Sequence, residues 1–313
     1  MIDKITNTVI KDIKILTRDK TFILILSIFF LISIVSVYIG ELSQYTINQV
    51  YDEAAKDLIR LNKPVPPSPF SSIPPLDIMK NMIIYIVLLG SLLAIILGHI
   101  VIINDRKSGV LRILFSRPFS KKEYLIGKII SISVILVLAV FTSMIISIGA
   151  ISISSTISFS SIFDVLIFYA FSFLYLIGFV YLGIYFGIRE KSSTKAVLFP
   201  LLLWVLITFV IPELGSALYP TISLNPILPD TKILDSSVLT TIHNLIFPFS
   251  ISEQYKDLAA NSLKLIHTDT ASNTIRYSVF DSTSVLVFWI VLSLGLSSYA
   301  IMKFDASAGD NYE

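Results

Sequence analysis

The residues best suited to specific polar contacts lie together in this chain, between Asn104 and Lys128. Seven basic residues, Arg106, Lys107, Arg112, Arg117, Lys121, Lys122 and Lys128, alternate there with apolar segments and are punctuated by Gly109 and Pro118. Guanidinium and ammonium groups make charge-assisted hydrogen bonds to carboxylates and phosphates, and Ile113, Leu114 and Phe115 add an apolar anchor. A loop that only joins two helices needs a few polar residues. The pattern predicts a docking surface, with Gly109 and Pro118 setting where its helix starts and stops. For Arg106, Lys107, Lys121, Lys122 and Lys128 a second role is equally open, as anchors against lipid headgroups. Gly109, Leu111, Arg112 and Arg117 favour docking, because anchoring needs no Gly or Pro at fixed places.

Other chemistry is missing from the sequence. There is no cysteine, which excludes disulfides, thiolate metal sites and cysteine nucleophiles. Gly127-Lys128 lacks the preceding Gly and the following hydroxyl of a phosphate-cradling loop, and neither His-Glu-x-x-His nor Gly-x-Ser-x-Gly occurs. An ionisable residue in mid-membrane costs about 2.5 to 3.5 kcal/mol and is kept for a purpose. Only His99 sits well inside an apolar run, where it reads as an interhelical hydrogen-bonding residue; Asp164, Arg189 and Glu190 lie at the ends of runs. The chain is expected not to be an enzyme and to bind no metal or cofactor, so any energy must come from another subunit.

The elements that position the basic loop are membrane helices. Hydrophobic residues make up 54% of the chain and charged ones 15%, with a mean hydropathy of +0.81, against about 25% charged in a soluble domain. A net charge of +2 gives no reason to expect nucleic acid. Runs of about 17 to 25 residues cross a hydrocarbon core of roughly 30 Å, and six qualify: 21–39, 79–103, 129–151, 163–188, 196–211 and 284–302. Pro200 makes the ends of the fifth the least defined. The fold class is thus an all-α polytopic membrane protein with six transmembrane helices.

Ahead of the first span, Ile2, Ile5, Val9, Ile10, Ile13 and Leu16 share one helical face opposite Asp3, Lys4, Asn7, Lys11 and Lys14, which predicts an interfacial amphipathic helix over 1–20. Of the 24 Lys and Arg, 16 fall on the side that holds this helix, the loop 104–128, the short loop 189–195 and the tail 303–313. The positive-inside rule places both termini and these loops in the cytoplasm. Two longer extracytoplasmic loops remain, 40–78 and 212–283. The first is expected to hold a helix marked by Ile47, Val50, Ala54, Leu58 and Leu61, then a stiff Pro-rich return. The second is expected to hold a short amphipathic helix behind a Ser250/Glu253 capping box. Gly183 and Gly187, with Gly178 nearby, form a Gly-x-x-x-Gly pattern in the fourth span and predict close helix packing within the subunit.

These residues carry a family resemblance. The string Asp105-Arg106-Lys107-Ser108-Gly109-Val110-Leu111-Arg112-Ile113-Leu114-Phe115-Ser116-Arg117-Pro118-Phe119-Ser120, continued by Lys121-Lys122-Glu123-Tyr124-Leu125-Ile126-Gly127-Lys128, resembles the loop after the second span of type-2 ABC exporter permeases. Asp105 stands where Glu is common and Val110 where Thr is common. The resemblance extends to the interfacial helix, the six spans and the inside termini. It implies that the loop is a coupling helix seated in a cleft of a separate P-loop ATP-binding subunit, which alone carries ATP and Mg. Asp105, Gly109, Leu111, Arg112, Ile113, Leu114, Arg117 and Pro118 would then form the coupling site. It further implies a second permease subunit, identical or related, a location in the cytoplasmic membrane among lipid, and export of a substrate. The rival class is a non-transporting membrane scaffold that recruits a cytoplasmic partner through the same loop.

Overall fold

The computed structural model describes residues 6, 9–15, 20–66, 75–111, 120–154, 158–212, 246–265 and 279–304. Among them the regular structure is helical. In lipid this is the expected outcome, since a helix satisfies its backbone groups within one segment.

Residues 9–15 belong to an N-terminal helix, α1. Helix α2 spans Lys20–Arg60. A composite helix α3 runs from a 3-10 turn at Pro75–Met79 through Lys80–Tyr85 and a π-helical turn at Ile86–Gly90 to Ser91–Lys107. Helix α4 is Lys121–Ser154, α5 is Phe159–Arg189, and α6 is Ser193–Val205, prolonged by a second π-helical turn at Leu206–Val210. Helix α7 covers Ile251–Ser262 and α8 Val279–Lys303. Among the described residues, five segments are long and apolar enough to cross a membrane: Ile23–Arg60, Leu76–Lys107, Lys121–Ile153, Phe159–Arg189 and Asp281–Lys303. A shorter apolar helix, Thr194–Val210, occupies the place of the expected fifth span. The chain is therefore a multi-pass membrane protein.

Helix α5 is the central pillar. Phe168, Tyr175, Leu176, Phe179 and Val180 on it are completely buried, and it packs most extensively against α3 and then α8. Two glycines bring α3 and α5 together: a Cβ on Gly98 would overlap the Val180 carbonyl oxygen, and one on Gly183 would overlap that of Ile95. Small residues let membrane helices approach until backbone meets backbone. On α2, α4 and α8, by contrast, large apolar side chains such as Leu31, Phe141 and Phe288 are exposed, as befits a lipid-facing surface. Several serines of these helices bond to their own helix: Ser33 to Phe29 O at 2.8 Å, Ser131 to Gly127 O at 2.7 Å and Ser293 to Trp289 O at 2.9 Å.

Two outer segments differ in detail from the sequence expectations. Helix α2 does not stop at Ile39; its 41 residues measure about 60 Å, and the stripe from Ile47 to Leu61 is its second half. No Gly or Pro separates Glu41 from Arg60, so nothing in the backbone ends the helix at the apolar boundary. The expected helix after Ser250 is α7, but it lies inside the bundle with Tyr255, Leu258 and Ala259 buried. Tyr255 stacks on Tyr175 with ring centroids 4.5 Å apart and shares a 2.8 Å hydrogen bond with Ser172. Ser282 donates to Gln254 Oε1 at 2.6 Å, and Lys264 reaches Asp164 at 2.6 Å. Ser250 is buried and makes no side-chain cap bond, and Glu253 pairs instead with Lys256 at 2.7 Å one turn on.

Candidate coupling junction

The basic loop is mounted on the end of α3 and the start of α4, and both shoulders are fixed by charge. Lys128 on α4 places its ammonium 2.6 Å from Asp105 Oδ2. The same ammonium lies 3.0 and 2.9 Å from the two carboxylate oxygens of Asp12 on α1. Lys11 reaches Asp105 Oδ1 at 3.2 Å, and the Tyr124 hydroxyl donates to Asp105 Oδ2 at 2.9 Å. Side-chain exposures are 1% for Lys128, 3% for Asp12 and 5% for Asp105, against 38% for Lys11. Two acids and two bases thus balance, three of them out of contact with solvent. Burial lifts the Asp12 carboxyl above the ordinary carboxylate range, an effect the Lys128 charge offsets only in part.

Two further loop cations face other helices. Arg106 is buried and its Nη1 donates to the carbonyls of Gly187, Ile188 and Glu190 at 2.8, 3.3 and 2.6 Å, at the end of α5. Lys121 donates to the carbonyls of Met302 and Phe304 at 2.9 and 2.7 Å, at the end of α8. The last carbonyls of a helix have no partner within it, and cations there also complement the helix dipole. Helix α4 itself starts on a capping box: Ser120 N–H donates to Glu123 Oε2 and Lys122 N–H to Ser120 Oγ, both at 3.2 Å.

Of the eight residues expected to form the coupling site, Asp105 faces inward as an ion-pair partner, Leu111 is buried, and Gly109 closes α3. Arg112, Ile113, Leu114, Arg117 and Pro118 lie outside the described residues. Gly109 takes φ +69° and donates its N–H to Arg106 O at 3.0 Å, the left-handed termination that glycine permits. Among the described residues beyond its chain neighbours, no atom lies within 4 Å of a Cβ built there, so backbone strain is the cost a side chain meets there. Gly109→Val is expected to cost roughly 1–2 kcal/mol and Gly109→Asn clearly less, read as shifts in thermal unfolding in detergent; equal costs for the two would count against the conformational cause.

Among the packing glycines, a Cβ built on Gly183 would meet Ile95 O, one on Gly178 the Trp289 ring nitrogen, and one on Gly187 the Ile102 side chain at a tight 3.3 Å. His99 is buried next to Gly187, and its Nδ1 has no hydrogen-bond partner among the described residues. Sequence reasoning missed Asp12 and Lys128 as a pair, for which no local signal exists, and Ser120/Glu123, for which the Ser-x-x-Glu spacing before an apolar run was sufficient.

In this helical membrane bundle α1, the two shoulders of the basic loop and the ends of α5 and α8 gather in one charged junction. The chain belongs to the ABC-2 family of transporter proteins, whose family profile matches residues 6–306. It is an ABC-2 type permease, the transmembrane part of an ABC transporter. No curated protein matches the chain in sequence.

Proposed function

We propose that this permease is the membrane half of an exporter in the cytoplasmic membrane, driven by a separate P-loop ATP-binding subunit that docks on residues 104–128. In this reading ATP and Mg stay on the partner, both termini face the cytoplasm, and a second permease, identical or related, completes the pathway. The observation that carries it is the Asp12–Lys128–Asp105 cluster. It joins both shoulders of the loop to α1, so a push on the loop meets a stiff base instead of a slack connector. The sequence holds no nucleotide motif of its own, which assigns hydrolysis to the partner. Asp105 serves as a positioning residue behind the docking surface, and direct contact falls to Arg112, Arg117 and the apolar residues between them.

Co-purification with the ATP-binding subunit tests the proposal. Arg112→Glu and Arg117→Glu, which reverse charge on the loop, are expected to remove most of the bound subunit while membrane insertion is unchanged. Wild-type levels of bound subunit in both variants would sink the docking role. ATP-driven movement of cargo in vesicles separates an exporter from a non-transporting scaffold.

A further inference from the structure

We infer that Arg106 and Lys121 are positioning residues that carry displacement of the loop into α5 and α8; this rests on the loop being the point where the ATP-binding subunit acts. Along the covalent chain, a moving loop pulls only on α3 and α4. The structure adds two non-covalent routes. Arg106, at the foot of α3, grips three carbonyls at the end of α5, and its guanidinium lies 5.8 Å from the centroid of the Phe304 ring just past α8. Lys121, the first residue of α4, grips two carbonyls at the end of α8. Each shoulder thus holds a helix remote in sequence.

The gripped helices form one unit with α7. Ser297 on α8 donates to Tyr181 O on α5 at 2.6 Å, and Trp289 packs against Phe179 with centroids 5.2 Å apart. At the opposite end, Tyr255 and Gln254 of α7 bond to Ser172 of α5 and Ser282 of α8. Charge-assisted bonds are directional and strong in low dielectric, and packed helices shift as bodies instead of deforming. A tilt imposed at the loop therefore reaches the far ends of α5, α7 and α8 together. Lipid anchoring does not account for these contacts, because Arg106 is buried and both cations donate to backbone carbonyls of the same chain.

The absence of cysteine allows unambiguous spin labelling in the complex with the ATP-binding subunit, reconstituted in lipid vesicles. Ile59→Cys on α2 serves as reference, paired in turn with Ser160→Cys on α5, Ser284→Cys on α8 and Ile153→Cys on α4; distances are measured with and without MgATP. In the wild-type background a nucleotide-dependent shift is expected for every pair. Arg106→Gln is expected to lose most of the shift at Ser160 and Lys121→Gln most of that at Ser284, with the Ile153 shift kept and Lys121→Arg restoring the second. Full shifts at Ser160 and Ser284 in the Gln variants would overturn the inference. So would a loss of equal size at Ile153, which signals general loosening. A wild-type complex with no shift at any pair would instead overturn the docking reading beneath it.

Discussion

Replacing Lys128 by Met is expected to destabilise the protein by about 3–5 kcal/mol, the cost of leaving buried charge without its partner. Lys128 neutralises two carboxylates at once, at 2.6 and 2.9 Å. Its loss leaves Asp105 with Lys11 and Tyr124, while Asp12 loses its closest cation. The comparison that isolates the cause is Lys128→Met with Asp12→Asn. Removing the stranded charge should recover most of the loss, although the double variant has fewer polar contacts than either single one. Lys11→Met, at a half-exposed pair, should cost no more than about 1 kcal/mol. Thermal unfolding in detergent reads all three; a double variant no more stable than Lys128→Met would show that the damage is not electrostatic.

The same variant should respond to pH in a definite direction. A carboxyl whose pKa is higher in the folded state than in the unfolded one contributes stability that is complete below the unfolded value and is lost as pH rises through the folded value. Asp12 is already raised by burial, and removing Lys128 takes away its main counter-charge. Lys128→Met should therefore approach wild-type stability as pH falls through the raised Asp12 value. The double variant, with no titrating group at residue 12, should lack that recovery.

The second large effect is expected at the α3–α5 crossing, and it is position-specific. Gly98→Val and Gly183→Val drive a side chain into a backbone carbonyl, and neither neighbour can rotate away. Overpacking of this sort costs about 1–3 kcal/mol, with the upper end expected because the most extensive helix pairing must separate. Gly187→Ala meets side chains instead of backbone, Ile102 at 3.3 Å and His99 Nδ1 at 3.7 Å, and should cost less. Gly149→Ala on α4 and Gly295→Ala on α8, where a Cβ finds nothing within 4 Å, should be neutral or stabilising by up to about 1 kcal/mol through helix propensity. A uniform effect across these sites, measured by thermal unfolding, would contradict the crossing geometry.

These two predictions also separate what was legible in the sequence from what was not. The Gly-x-x-x-Gly of Gly183 and Gly187 marks a close contact because small residues at that spacing share a face, yet it cannot rank the two glycines. The other half of the contact, Gly98, stands in a Gly90-Ala94-Gly98 run of small residues at the same spacing, which the sequence reading passed over. The capping rule applies to Ser120/Glu123 and to Ser250/Glu253 alike. Only the first forms; at the second Ser250 makes no side-chain cap bond and the Glu253 carboxylate pairs with Lys256. Helix α7 reads as amphipathic in sequence, but periodicity does not say whether its apolar face meets lipid or protein, and here it meets α5 and α8.

The string from Asp105 to Lys128 carried the resemblance to the family, and the sequence by itself determined that this is an all-helical, multi-pass membrane protein. Composition and apolar run length settle such properties because the bilayer penalises every exposed polar group. Tertiary structure alone decided what the loop's charges do. Arg106, Lys121 and Lys128 look alike in sequence, as cations for lipid or for a partner. In the folded chain they face helix ends and acids up to 183 residues away. Charge is a property of a residue, but its counter-charge is a property of the fold, because only packing brings Asp12, Asp105 and the last carbonyls of α5 and α8 within bonding distance.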